Sequence, residues 1–312
     1  MEDFNQTLPD VFYLLGVSTD PHLQVIGCLM LVLMYTIILA GNCLLLITVR
    51  MSPKLHTPMY FFLSNLSFID ICFSSTIVPL ILRNTLSSDK SISVEGCMAQ
   101  MLCYLGLGGA ECLLLAVMAY DRFVAICRPL HYVSLMNTRF CIILALIPWI
   151  IGLINSSIQV HLTWRLPLCK THHINYFFCD VPPLLRLSCR DTWLNEISIY
   201  LAAGIVVLSS FSLTLISYIY IISTILKMHS SSRYAVFSTC TSHLTVVTLF
   251  YGTIMFIYLQ SRSNHSVEKD KFVSVLYTVV TPMFNPIIYS IRNKEVKTCI
   301  VQNLKQVINP SA

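Results

Sequence analysis

Charge is what this chain has least of. Asp, Glu, Lys and Arg make up only 11% of its 312 residues, against 55% hydrophobic residues, and mean hydropathy is +0.71. Soluble domains carry about a quarter charged residues, so a soluble globular protein is excluded and a membrane protein expected. Also missing are an internal repeat, a low-complexity tail, a hydrolase triad and a phosphate-cradling loop, which leaves no catalytic reading to weigh and no enzyme to expect. His161, His172 and His173 stand near Cys169 and Cys179, but the spacing fits no compact zinc motif. The formal net charge of +5 is spread over loops and needs no nucleic-acid partner. The first residues lack the basic start of a cleavable signal and carry Glu2, Asp3, Asp10 and Asp20 instead. The first apolar run is therefore expected to be an uncleaved signal anchor.

What is abundant is apolar length. Stretches 21–49, 140–164, 234–261 and 272–291 hold no charged residue and 196–226 holds one only at its first position, Glu196; each reaches the roughly 20 residues that cross a bilayer as a helix. Two more, about 58–80 and 97–121, are interrupted by Asp70 and Glu111. The fold class expected is an all-α membrane protein, a seven-transmembrane helix bundle. It divides into an extracellular tail 1–22, a receptor-sized bundle 23–291 and a cytoplasmic tail 292–312. That last tail opens at Arg292–Lys297 with a short amphipathic helix on the inner membrane surface. Eleven of the 20 Lys and Arg residues then face the cytoplasm in short loops, which sets the N-terminus outside.

Eleven of the thirteen cysteines divide by place. Cys28, Cys43, Cys72, Cys103, Cys112, Cys141 and Cys240 lie within spans, where packing as small apolar groups accounts for them. Cys97, Cys169, Cys179 and Cys189 fall on the oxidising outer side and admit three pairings. Asn5-Gln6-Thr7 is a sequon on the outer tail, the expected glycan site. Asn65-Leu66-Ser67 and Asn155-Ser156-Ser157 sit within spans, beyond reach of glycosylation.

Acids inside a bilayer are costly and are functional candidates by default. Asp70 and Glu111, facing a bundle interior, can share a sodium ion or a proton, because two close like charges do not both ionise cheaply. In the third span Tyr104, Glu111 and Arg122 fall within about 20° of one helix face and extend over about 27 Å. A ligand contact, an ion site and an inner switch can thus share one rigid element. Asn285-Pro286 in the last span removes a backbone donor and permits a bend. Asn42 in the first span reads equally well as a packed polar group between helices or as part of a switch.

Several strings stand out in order: Leu55-His56-Thr57-Pro58-Met59-Tyr60, Met118-Ala119-Tyr120-Asp121-Arg122-Phe123-Val124-Ala125-Ile126-Cys127, Phe237-Ser238-Thr239-Cys240-Thr241-Ser242-His243-Leu244, Phe250-Tyr251-Gly252-Thr253 and Pro282-Met283-Phe284-Asn285-Pro286-Ile287-Ile288-Tyr289. From about residue 9 to 300 they resemble the olfactory (odorant) receptors, a branch of the rhodopsin-like (class A) G-protein-coupled receptors. Leu14-Leu15-Gly16-Val17-Ser18 and the modest outer loops look like the tetrapod-type class II. Phe123 stands where the family usually has Tyr. The segment Ser230-Ser231-Ser232-Arg233-Tyr234-Ala235-Val236 keeps one basic residue where the family usually has a run, which puts coupling strength in question.

The resemblance implies disulfides Cys97–Cys179 and Cys169–Cys189, a resting Asp121–Arg122 pair, and Tyr218 and Tyr289 as hydroxyls that stabilise an active arrangement around the Asn285-Pro286 hinge. It implies sodium at the helix-2 acid Asp70, and Glu111 as a typical olfactory-receptor residue. It implies a plasma-membrane protein of olfactory sensory cilia, a volatile odorant as ligand, a stimulatory olfactory G protein that raises cyclic AMP, and accessory proteins for trafficking. The pocket expected by position comprises Tyr104, Leu105, Gly108, Ser156, Gln159, Ala202, Ala203, Val206, Tyr251, Met255, Tyr258 and Thr278. This set is mostly apolar and suits a small hydrophobic ligand making one or two hydrogen bonds. It holds no buried counter-ion, with Arg262 at the rim the one exception. Two rivals remain: a same-family chemoreceptor of another tissue, and an ion-coupled transporter or channel, which predicts a repeat or a pair of broken helices that the sequence lacks.

Overall fold

The computed structural model describes residues 10–16, 21–168, 172–228, 230–259, 271, 274–292 and 294–308. Its long helices are α1 (Pro21–Met51), α2 (Pro58–Leu86), α3 (Val94–Cys127), α4 (Thr138–Trp164), α5 (Trp193–Leu226) and α6 (Ser230–Leu259). There follow α7 (Thr281–Arg292), entered through a π-helical turn at Leu276–Val280, and α8 (Lys294–Ile308). Among the described residues five helices, α1 to α5, are long and apolar enough to cross a membrane.

Local chemistry sets the helix starts. Pro58 opens α2, where its missing N–H would have no partner anyway. The Ser93 hydroxyl caps α3 by accepting from the Gly96 amide at 3.1 Å, and Asn137 caps α4 by accepting from the Phe140 amide at 3.0 Å. On α1, α4 and α5 large side chains such as Leu29, Ile154 and Leu208 stay exposed. In water such a surface would drive association; here it is the face that lipid solvates. The interior is built on α3, which packs against α2, α4, α5 and α6. It meets α4 closely because Gly106 and Gly152 put backbone against backbone: a Cβ on Gly152 would lie 2.3 Å from the Gly106 carbonyl oxygen.

Pro286 frees a carbonyl in α7, and the structure answers it. With no N–H at Pro286, the Pro282 oxygen loses its helical donor. The Nδ2 of Asn42, buried on α1, donates to it at 3.4 Å and to its own Ile38 carbonyl at 3.0 Å. Asn42 thus bridges α1 and α7 through Nδ2, while its Oδ1 is buried with no hydrogen-bond partner among the described residues, so both expected roles stay open.

The outer tail, expected only as a tail, carries a strand. β1 (Val11–Leu14) lies between β2 (Ser91–Ser93) and β3 (His173–Ile174), antiparallel to the first and parallel to the second. The chain then turns at Gly16, whose φ of 81° suits glycine, and the Gly16 amide donates to the Tyr176 carbonyl at 3.2 Å. Lys271 completes the clasp, its Nζ donating to the Gly16 carbonyl at 2.7 Å and to Asn175 Oδ1 at 3.1 Å. Three short strands from separate loops satisfy one another, and none has a period of its own to read.

The Cys97–Cys179 disulfide is present, joining α3 to the long outer loop across 82 residues of chain. Cys189 is also disulfide-bonded, while Cys169, its expected partner, lies outside the described residues, as do Asn5 and Arg262. Closing so long a loop removes about 4 kcal/mol of denatured-state entropy. Cys97→Ser is therefore expected to cut surface staining of a tagged receptor sharply under oxidising conditions. Unchanged staining would mean that the loop is held by its strands alone.

Candidate functional site

Between α3, α4 and α5, at the end that carries the Cys97–Cys179 disulfide and beneath the long loop, lies a cavity of about 1040 Å³. Tyr104, Leu105, Gly108, Gln159, Ala202, Ala203 and Val206, all expected at the pocket, line it. Three others stand behind the wall. Ser156 is buried with its hydroxyl on the Leu153 carbonyl, Thr278 bonds back to the Ser274 carbonyl, and Tyr251 reaches the Cys112 carbonyl at 3.2 Å. Helical period places a residue on a face but not at a depth. Met255 and Tyr258 have side chains outside the described residues.

Ahead of α7 the wall is made by Ser274 and by Tyr277 of the π turn. The π turn shifts the register there, so Tyr277, one position from the expected Thr278, meets the cavity. The Tyr277 ring packs edge-on to Phe73 at 5.5 Å and against Phe250 at 5.7 Å. The cavity floor includes Cys112, whose sulfur lies 2.9 Å from the Ser210 hydroxyl, so α3, α5 and α6 meet in one small polar node.

The lining also carries charge that the expected set lacked: Asp180, Arg186, Arg190 and Asp191 from the loop and Glu196 from the first turn of α5. Asp180 is half-buried, and burial pushes its carboxyl up to about 6, against the pull of the Val181 amide that donates to it at 2.8 Å. A loop that folds back over a helical bundle cannot be placed by periodicity, which is why these residues were not expected.

Below the cavity the interior turns polar. Asp70 is fully buried and accepts from Asn285 Nδ2 at 3.1 and 3.0 Å on its two oxygens. Glu111 lies close enough to act on Asp70 electrostatically and also interacts with Asn285. Its Oε1 is buried with no hydrogen-bond partner among the described residues.

At the inner end Asp121 and Arg122 are paired. Asp121 Oδ2 accepts from Arg122 Nε at 3.2 Å and Nη2 at 2.7 Å, with side-chain exposure of 0% and 16%. Tyr132 donates to the other oxygen, Oδ1, at 2.8 Å. Burial first, and then the negative Asp121, hold the Tyr132 phenol well above its ordinary range, so it remains a donor. Tyr218 bonds His243 Nδ1 at 2.6 Å, and the hydroxyl of Tyr289 is buried without a partner among the described residues. His243 sits inside a quoted string and Tyr132 five residues beyond the end of another, yet nothing in a linear reading pairs them with Tyr218 and Asp121.

A family model described as olfactory receptor matches residues 31–307. The chain belongs to the olfactory receptor family. It is 47% identical to human olfactory receptor 5B21 over 97% of this chain and 98% of that one. To mouse olfactory receptor 5AR1 it is 45% identical, covering 95% and 96%, and to human olfactory receptor 2G6 46% identical, covering 95% and 94%. An olfactory receptor is a G-protein-coupled receptor and not an enzyme, and its long apolar helices make it a multi-pass membrane protein.

Proposed function

We propose that this olfactory receptor crosses the membrane seven times with its N-terminus outside and binds small, mostly apolar volatile molecules in the outer cavity. The observation that carries the reading is the shared element: α3 lines the cavity at Tyr104, holds Glu111 at mid-length and ends in the paired Asp121 and Arg122. Ligand contacts on α3, α5 and the α6–α7 side favour an outward swing of the inner end of α6. Arg122 then leaves Asp121 and meets a stimulatory olfactory G protein, which raises cyclic AMP. Tyr218, Tyr289 and the Asn285-Pro286 hinge stabilise that state. Asp70, Glu111 and Asn285 would hold sodium or a shared proton in the resting state: the set offers carboxylate and amide oxygens, and the unpartnered Oε1 of Glu111 leaves one free. The location is the plasma membrane of olfactory cilia, reached with trafficking accessory proteins.

Cyclic AMP in cells expressing a tagged chain, across a panel of volatiles, tests this, with Arg122→Ala beside the wild type. The expected result is a dose-dependent rise in the wild type and none in the variant. Because Arg122→Ala also strands the buried Asp121 carboxylate, signal is normalised to surface protein. A full response per surface receptor in Arg122→Ala would sink the coupling scheme.

A further inference from the structure

Asp180 sits on a rigid mount. It follows Cys179, which is bonded to Cys97 and whose amide donates to Gln100 Oε1 at 2.9 Å, while Gln100 Nε2 donates to the Thr76 carbonyl at 2.9 Å. One carboxylate oxygen, Oδ1, takes the Val181 amide. The other makes no hydrogen bond, and the carboxylate no ion pair, among the described residues, whose ion pairs are Arg83–Asp89 and Asp121–Arg122. Yet the residue lines the cavity, alongside the rings of Tyr104 and Tyr176, each of which packs on Phe178 at 4.9 and 5.2 Å. That free oxygen is open to the cavity, so a ligand that donates to it there gains a charge-assisted hydrogen bond.

We propose that Asp180 is the acceptor of an outer subsite that takes the hydrogen-bond-donating head of a small, otherwise apolar ligand. This rests on the cavity being the ligand site and adds the ligand's chemistry: a hydroxyl or an ammonium at one end, with an apolar tail toward Leu105, Gly108 and Val206. The aromatic rings of Tyr104 and Tyr176, which share the cavity lining with Asp180, suit either head, and an ammonium more. Anionic heads are disfavoured. Arg186 and Arg190, the arginines of the cavity lining, are both exposed, and Asp191 and Glu196 stand in the same wall. Selectivity follows from asymmetry: a ligand of the same shape without a donor leaves the acceptor dry and unpaired, and such sites reject it strongly.

The test measures ligand-dependent unfolding midpoints of the full chain in lipid nanodiscs with 1-octanol, n-octylammonium, heptyl methyl ether and octanoate. Asp180→Asn and Asp180→Ser are run beside the wild type. Both variants keep a side-chain oxygen for the Val181 amide, and partition of each probe into lipid is the same for all three proteins. In the wild type the alcohol, the ammonium or both should act at concentrations on the order of tenfold below the ether. That preference should vanish in both variants; which donor wins identifies the natural head group. The same ranking in wild type and variants, a preference for octanoate, or no shift with any probe would overturn the subsite. The readout needs no G protein. Donor-selective binding without a cyclic AMP response would therefore count against the coupling scheme and leave the subsite standing.

Discussion

Gly152→Ala should remove most of the receptor from the cell surface. A Cβ there would lie 2.3 Å from the Gly106 carbonyl oxygen and 3.2 Å from the Ala110 amide nitrogen. Both are backbone atoms of α3, so no side chain can swing aside; α3 and α4 must part along their length. The cost belongs at or above the upper end of the roughly 1–3 kcal/mol typical of overpacking, because close approach of small residues is itself a source of helix association in lipid. The same helices supply graded controls. Gly106→Ala meets the Ser156 hydroxyl at 3.1 Å, a group that can rotate, and should lose less. Gly204→Ala and Gly252→Ala meet nothing within 4 Å and should match the wild type. Surface staining with unfolding midpoints in detergent measures the series. Equal values for Gly152→Ala and Gly204→Ala would show that the α3–α4 contact is looser than these distances.

How much of this was legible beforehand depends on the range of the signal. The long helices were, because runs such as 196–226 carry their message in every residue, and α5 extends only from Trp193 to Leu226. Glu111 was marked as an acid in a bilayer, and it is indeed buried. What could not be read depends on two distant segments at once. β1 exists only because loops at Ser91–Ser93 and His173–Ile174 offer it partners. Tyr132 binds Asp121 only because the inner loop folds under α3. Tyr277 replaces Thr278 at the cavity because the extra residue of a π turn rotates what precedes it, and period counting assumes there is none. Asp180 was passed over for a fourth reason: the expected pocket was drawn from helices alone, while a disulfide-held loop makes much of this wall.

Asp70→Asn is expected to abolish a sodium-dependent gain in receptor stability that the wild type shows. Asp70 and Glu111 are at most 1% exposed, and no Lys or Arg makes an ion pair with either among the described residues. Asn285 gives Asp70 its amide donor, but an amide hydrogen offsets only part of a full charge in lipid. A cation or a proton must supply the rest. If the cation is sodium, stability rises with its concentration, by about 2.7 kcal/mol at a hundredfold excess over Kd. The expected observation is a higher unfolding midpoint in sodium chloride than in choline chloride of equal ionic strength. Asp70→Asn and Glu111→Gln should each erase that difference, while Asn285→Ala, which removes a donor but leaves both carboxylates, should reduce it less. A wild-type midpoint indifferent to sodium would rule the ion out and leave the shared proton. In that case the carboxamide variants, which need no proton, should be as stable as the wild type in either salt. The two outcomes separate because sodium is lost with one negative charge, whereas a proton-sharing pair is only mimicked by that change.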